Sequence, residues 1–148
     1  MAAHFAEVQW QHKAHPQHPE TFDRDHTVTF ENGQSIVGSS APAYFGNPDS
    51  ANPETLLLAA LASCHMLTFL AIAAKLGFQV SSYRDRAEGT LAKNAAGRVT
   101  ITHCLLKPEI GFSGDKLPSP EELRKLHESA HRNCFIANSL NCSVEIIS

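Results

Sequence analysis

An almost unbroken apolar run from Leu56 to Leu76 constrains the fold more than any other part of the chain. The run follows Asn52-Pro53-Glu54 and ends at Gly77. Asparagine is a favoured N-cap, proline suits the first helical position, and an acidic side chain complements the positive end of the helix dipole. Glycine suits the residue that follows a helix. We therefore predict one long helix between Asn52 and Gly77.

The length of this run also fits a membrane-spanning helix. However, Ser63, His65, Thr68 and Lys75 interrupt it, and strand-like polar segments flank it. A helix that is apolar on all sides is typical of the central helix of a globular protein or of a dimer. We therefore expect no membrane span and no membrane partner. Because the N-terminus lacks the pattern of a secretory signal, a reducing cytoplasmic location is expected.

Size and composition favour one folded domain over residues 1–148. The apolar fraction of 43% and charged fraction of 18% are those of an ordinary globular protein. The net charge is −3, and the basic residues form no stripe along the sequence. Nucleic acid is therefore excluded as an expected partner.

Strand and turn signals surround the helix. Thr27–Phe30 and Gln34–Val37 flank Asn32-Gly33, which indicates a hairpin because Asn-Gly tolerates positive φ. Ser119-Pro120-Glu121-Glu122 has the pattern of a capping box and predicts a second helix running towards Cys134. Other strands are predicted at residues 5–10, 78–93, 98–106, 108–112 and 142–147. This order predicts an α+β fold with mainly antiparallel sheets.

Strand 98–106 presents two alternating sets of side chains. The residues Val99, Ile101, His103 and Leu105 share one face.

The four cysteines, at positions 64, 104, 134 and 142, are the first candidates for chemistry. In a reducing compartment they are more often thiols, catalytic groups or metal ligands than structural bridges. A buried cysteine commonly acts as a small apolar residue, and it reacts only where its thiolate is stabilised. Spacing alone does not select a pairing. Cys104 and Cys142 are interpreted as core or strand positions without a role.

A metal site is an alternative use of the same residues. His127, His131 and Cys134 are spaced by four and three, so they share one helix face, and with Cys64 they would make a zinc ligand set. No CxxC or HExxH motif supports it, and an ordinary polar helix face explains the histidines, so no metal is predicted. Another alternative is a non-catalytic dimer that senses redox state or binds a small molecule.

The chain resembles the OsmC/Ohr family of thiol-dependent hydroperoxide reductases. The resemblance is carried by Asn52-Pro53-Glu54-x-Leu56-Leu-Leu-Ala59-Ala60-x-Ala62-Ser63-Cys64 and by the later His131-x-x-Cys134 with a short strand after it. It implies an intertwined α+β homodimer without metal or organic cofactor. It also implies a peroxidatic cysteine, a resolving cysteine and an Arg–Glu pair that tunes the first thiol.

Matching the motifs assigns roles by resemblance. Cys64 corresponds to the peroxidatic cysteine, Cys134 to the resolving cysteine and Glu54 to the partner of the arginine. Arg24, before the first hairpin strand, is the best match for that arginine. The sequence departs from the family pattern at five positions: Phe22, Asp23 and His26 replace glycines, His65 replaces an aromatic residue after the first cysteine, and Phe135 stands where proline is frequent.

The resemblance implies reduction of organic hydroperoxides to alcohols, through a Cys64 sulfenic acid and a Cys64–Cys134 disulfide that a dithiol, such as a lipoyl group, reduces. Phe69, Phe135 and Leu67 are candidates for an apolar substrate wall. Ten residues separate Glu54 from Cys64, which is about 15 Å along a helix. We therefore hypothesise that the Arg24–Glu54 pair serves Cys64 of the partner subunit.

Overall fold

The computed structural model describes all 148 residues, Met1–Ser148. The chain forms two compact units, Met1–Leu56 and Leu57–Ser148. Each unit is described separately below, and the expectation of one domain over residues 1–148 stays a prediction.

The first unit contains a three-stranded antiparallel sheet in the order β1-β2-β3. Its strands are β1 (Ala6–Gln9), β2 (His26–Phe30) and β3 (Ser35–Gly38), followed by a short 3-10 helix, Pro42–Tyr44. The predicted β2–β3 hairpin is confirmed. The N–H of Gly33 donates to the Phe30 carbonyl (2.9 Å), and Gly33 takes the positive φ of 87° that the turn requires.

The predicted long helix is α1 (Pro53–Lys75), which begins in the first unit and continues into the second. The Asn52 side chain accepts a hydrogen bond from the Thr55 N–H (2.9 Å), as an N-cap does. Gly77 follows the helix with a φ of 84°, which a residue with a Cβ rarely adopts. Both predicted ends of the helix are therefore confirmed.

Two further sheets lie in the second unit. Strand β4 (Gln79–Asp85) pairs antiparallel with β7 (Pro108–Ser113). Strand β6 (Val99–Leu106) pairs antiparallel with β5 (Glu88–Lys93) and parallel with β8 (Ser143–Ile146). The expectation of one strand over 78–93 was wrong, because the chain leaves one sheet after Asp85 and enters another at Glu88.

The two faces of β6 differ in burial. Cys104 and Leu106 are fully buried, whereas His103 and Leu105 on the other face are only partly buried. Both faces of this strand carry apolar residues, and contacts made by distant parts of the chain decide which face is buried.

The second predicted helix is α2 (Pro120–Asn133). Its capping box is complete: the Glu122 N–H donates to Ser119 Oγ (3.2 Å), and the Ser119 N–H donates to the Glu122 carboxylate (2.8 Å). A one-turn helix, α3 (Phe135–Asn138), follows Cys134 and was not predicted.

Two apolar clusters form the core of the second unit. The α2 cluster contains Phe69, Ala73, Phe78, Leu126 and Ala130. The cysteine cluster contains Leu61, Leu106, Cys104 and Cys134, with Cys64 and Cys142 packed against it. Helix α1 contributes to both, so the α+β fold is organised in this unit around a shared helix.

Helix α1 has the length and composition of a helix that could cross a membrane, with a mean hydropathy of 2.2 over its most apolar 18 residues. Its buried residues Leu61, His65, Phe69 and Ala73 recur every four positions and form one stripe. This stripe packs in the core of the second unit, so α1 is a core helix rather than a membrane span. Only 22% of this 18-residue stretch is buried within the single chain.

A candidate thiol redox site

The structure brings Cys64 and Cys134 together. Cys64 lies in the middle of α1 and is partly buried, whereas Cys134 lies between α2 and α3 and is fully buried. Both are free thiols, and each lies close enough to shift the pKa of the other. The two sulfur atoms that the sequence places 70 residues apart are therefore neighbours in the cysteine cluster.

The first turn of α3 places main-chain N–H groups beside both sulfur atoms. Cys134 is in an extended conformation (φ −77°, ψ 114°) between α2 and α3. The Ala137 N–H donates to Cys134 Sγ (3.4 Å), and the N–H groups of Phe135 and Ile136 lie near enough to Cys64 to lower the pKa of its thiol. Such N–H groups stabilise a thiolate, because they favour the charged form.

The environment drives the pKa values of the two thiols in opposite directions. Burial is the largest influence on Cys64 and raises its pKa. The nearby N–H group of Ile136, the Cys134 thiol and the N–H group of Phe135 together outweigh burial, and the pKa of Cys64 lies below its usual value. Burial, followed by the hydrogen bond with Cys64, raises the pKa of Cys134 to about 11. Cys64 is thus the better nucleophile of the pair.

Sequence reasoning missed the contribution of α3. It looked for a cation beside Cys64, but the donors that the second unit provides are main-chain N–H groups of Phe135 and Ile136. A single helical turn has no periodicity that a sequence pattern would show. The sequence offered one indication of this turn: proline, which often begins a helix, is frequent at position 135 in the family that the chain resembles.

Arg24 and Glu54 belong to the first unit, where they form no ion pair with each other or with any other residue. The Arg24 guanidinium donates to Thr21 Oγ1 (2.9 Å) and to the Phe22 carbonyl, and it stacks on the Phe22 ring at 3.7 Å. One buried carboxylate oxygen of Glu54, Oε2, has no hydrogen-bond partner in the chain.

A shallow depression of about 430 Å³ lies in the first unit beside Arg24. Its surface is almost entirely apolar. The lining residues are Trp10, Phe22, Arg24, His26, Ser39, Ser40 and Pro53.

The predicted apolar wall is only partly available. Phe69 is fully buried in the α2 cluster and cannot contact a substrate, which corrects the expectation for this residue. Leu67 is 60% exposed and Phe135 is 81% exposed. These two side chains flank the thiol pair in sequence, one on α1 and the other on α3.

The alternative zinc site is not assembled. No group of three or more His, Cys, Asp or Glu side chains is arranged to hold a metal ion. The physical reason lies in the partner of His127, whose Nδ1 is 3.0 Å from Nε2 of buried His65. Burial lowers the pKa of both imidazoles to about 4, with a smaller effect of His127 on His65. The two rings form a neutral hydrogen-bonded pair.

A thiol of lowered pKa, packed beside a buried thiol of raised pKa, is the arrangement of a thiol-based redox site. The family model for OsmC-like proteins matches residues 46–148, and the chain belongs to this family.

Structural comparison agrees with the family assignment. An OsmC-like protein of unknown function from Vibrio cholerae is 41% identical, with a TM-score of 0.92 over 99% of this chain and 100% of that chain. An organic hydroperoxide resistance protein from Legionella pneumophila shares the fold at 16% identity, with a TM-score of 0.72 over 99% and 94% of the two chains. The uncharacterised protein YmaD of Bacillus subtilis is 25% identical over 84% of this chain and 83% of its own length.

Proposed function

We propose that the protein is a thiol-dependent peroxidase that reduces organic hydroperoxides to alcohols. The observation that supports this most directly is the contact between Cys64, whose pKa is lowered, and buried Cys134, whose pKa is raised. Cys64 is suited to attack a peroxide. Cys134 stays protonated until Cys64 is oxidised and then reacts with it.

In the proposed reaction, the Cys64 thiolate attacks the distal oxygen of the hydroperoxide, and the O–O bond breaks. The alkoxide leaves and takes a proton to become the alcohol, while Cys64 becomes a sulfenic acid. The Cys134 thiol then attacks the Cys64 sulfur, forms the disulfide and releases water. A dithiol reduces this disulfide by two exchange steps and becomes a cyclic disulfide itself, which restores both thiols.

The protonation of Cys134 favours this order of events. A thiol with a pKa of about 11 is almost fully protonated at neutral pH, so it does not compete with Cys64 for the peroxide. Once Cys64 is a sulfenic acid, Cys134 reacts with it although a protonated thiol is a weak nucleophile. The two sulfur atoms are already held side by side, and this proximity accelerates the reaction. The Ala137 N–H that donates to Cys134 Sγ favours its thiolate at that stage.

A homodimer is part of this proposal. Leu67 of α1 is 60% exposed, as is Val99 of β6 at 61%, and every residue of β5 is exposed. An apolar helix with so little of its surface buried in one chain gains stability by packing against a second copy. We further propose that Arg24 and Glu54 act in the dimer, where the buried oxygen of Glu54 would find its partner.

The apolar surroundings of Cys64 favour an organic substrate over hydrogen peroxide. Exposed Leu67 and Phe135 offer contacts to an alkyl or aryl group. Relatives of the same fold are named organic hydroperoxide resistance proteins in Legionella pneumophila and Elizabethkingia anophelis. We propose the cytoplasm as the location, because the cycle requires a supply of reduced dithiol such as a lipoyl group.

The test is steady-state reduction of cumene hydroperoxide by purified protein treated with chelator, with dihydrolipoamide as the electron donor. Sustained turnover that saturates with hydroperoxide is expected, and hydrogen peroxide should be a poorer substrate. Formation of the Cys64–Cys134 disulfide without sustained turnover would instead identify a redox sensor. Activity that depends on added zinc would contradict the proposal as well.

A further inference from the structure

A second pair of thiols lies in the cysteine cluster. Cys104 Sγ and Cys142 Sγ are 3.7 Å apart, and both residues are free thiols. Cys104 is on β6 and is fully buried, whereas Cys142 directly precedes β8 and is partly buried. The sequence separates them by 38 residues, so the parallel pairing of β6 with β8 creates this contact.

The geometry allows a disulfide with a small local movement. A disulfide has an S–S length of about 2.05 Å, so the two sulfur atoms must approach by less than ~2 Å. The β6–β8 ladder begins at the His103–Ser143 pair, and Cys142 lies just outside it. Cys142 can therefore shift without loss of a ladder hydrogen bond.

The second pair shares its apolar surroundings with Cys64 and Cys134. All four cysteines belong to or pack against the same cluster, together with Leu61 and Leu106. The segment from Cys134 to Cys142 packs on this cluster through Ile136, Ala137 and Leu140. One short segment thus carries a cysteine of each pair.

We propose that Cys104 and Cys142 form a second redox-active pair, which receives the disulfide of Cys64 and Cys134 by thiol–disulfide exchange. This proposal rests on the proposed function for the source of the first disulfide. One chain would then accept two hydroperoxide molecules before it needs an external reductant.

The exchange balances within the chain. The Cys142 thiolate attacks one sulfur of the first disulfide, forms a mixed disulfide and releases the other sulfur as a thiolate, which takes up the proton lost by Cys142. Cys104 then loses its proton and attacks Cys142, and the released thiolate takes that proton. The products are the Cys104–Cys142 disulfide and the reduced Cys64–Cys134 dithiol. No oxidant or reductant is consumed.

Burial supports Cys142, rather than Cys104, as the first attacking group. Cys104 is fully buried, and burial followed by the hydrogen bond from Cys142 raises the pKa of its thiol to about 11. Cys142 is partly exposed, so its sulfur is the more accessible of the two. Each pair therefore joins a partly exposed cysteine to a fully buried one.

The first experiment is a titration of reduced protein with cumene hydroperoxide in the absence of reductant. The wild-type protein should consume two equivalents per chain, and the Cys142→Ser and Cys104→Ala proteins should consume one. Peptide mapping should find the Cys64–Cys134 disulfide first and the Cys104–Cys142 disulfide later. Consumption that stops at one equivalent in the wild type, with Cys104 and Cys142 still open to alkylation, would overturn the proposal.

Two further variants separate this proposal from the proposed function. In Cys64→Ser protein, hydroperoxide should leave Cys104 and Cys142 reduced, and their direct oxidation would overturn the exchange route. The protein with both Cys64→Ser and Cys134→Ser should form the Cys104–Cys142 disulfide in a buffer with excess oxidised glutathione. Thiols that stay free there would refute the second pair, even if the wild type turns over. If that disulfide forms while the wild type consumes no hydroperoxide, the pair stands and the peroxidase proposal fails.

Discussion

The two thiol pairs differ in what surrounds their sulfur atoms rather than in how close their members lie. Each pair joins a partly exposed cysteine to a fully buried one. Main-chain N–H groups of α3 lower the pKa of Cys64, whereas burial and the neighbouring thiol raise the pKa of Cys104. Proximity is enough for exchange between thiols and disulfides, but attack on a peroxide also needs a stabilised thiolate. We therefore assign the reaction with peroxide to Cys64.

The largest expected effect comes from Cys64→Ser. Turnover of cumene hydroperoxide should fall to the background rate, because a serine hydroxyl is not ionised at neutral pH and has no adjacent base here. The matched variant Cys142→Ser should retain turnover with dithiol present. Comparable loss in both proteins would break the division of roles between the pairs.

The second prediction concerns Cys134→Ser. The Cys64 thiolate remains, so one hydroperoxide should still be reduced per chain, but no resolving thiol follows. Mass spectrometry should show sulfenic and then sulfinic acid at Cys64, and steady-state turnover with dihydrolipoamide should be lost. If Cys64 in this protein still forms a disulfide with Cys142 at the normal rate, the second pair resolves Cys64 directly. Cys134 would then not be the resolving cysteine.

A third prediction concerns His65, the residue after Cys64 on α1, and its hydrogen-bond partner His127. Burial lowers the pKa of His65 and of His127 from the ordinary value of 6.5 to about 4. Between these values the unfolded state binds more protons than the folded state, so the free energy of unfolding should decrease as pH falls from about 6.5 to 4. The slope should approach about 1.4 kcal/mol per pH unit for each histidine.

Urea unfolding at several pH values measures this slope. Replacement of exposed His12 by glutamine is the control and should leave the slope unchanged. A free energy of unfolding that stays constant from pH 6.5 to 4.5 would contradict the neutral, buried state of the pair.

The smallest expected effect sharpens the role of α3. Phe135→Pro removes one N–H donor to Cys64 at the first position of a helix, where proline is tolerated, and the extended Cys134 is compatible with a following proline. A hydrogen bond to a charged group contributes about 1.5 kcal/mol, so alkylation of Cys64 at pH 7 should slow about tenfold. Phe135→Ala keeps the N–H and should react like the wild type. Equal rates in the two variants would show that this donor does not activate the thiol.

Local sequence signals predicted the elements that local physics determines. Asn52, Gly77 and Ser119 lie at helix ends because their side chains or backbone freedom satisfy those ends, and all three positions are confirmed. The turn at Gly33 was predictable for the same reason. The identity of Cys64 and Cys134 as candidates came from motifs, and the fold brings their sulfur atoms together.

The missed features depend on contacts between distant residues. Nothing in Arg86-Ala87 marks the passage from one sheet to another, since neither residue is glycine or proline. The face of β6 that carries Cys104 could not be chosen, because both faces are partly apolar. The pairing of Cys104 with Cys142 requires knowledge that β8 lies parallel to β6.

The most direct measurement of the central claim is disulfide mapping after one equivalent of cumene hydroperoxide, with rapid alkylation of the remaining thiols. The free thiols of Cys64 and Cys134 should disappear together at the earliest time point, and the two residues should appear in one cross-linked peptide. Oxidation of Cys64 to a sulfinic acid while Cys134 stays alkylatable would contradict it.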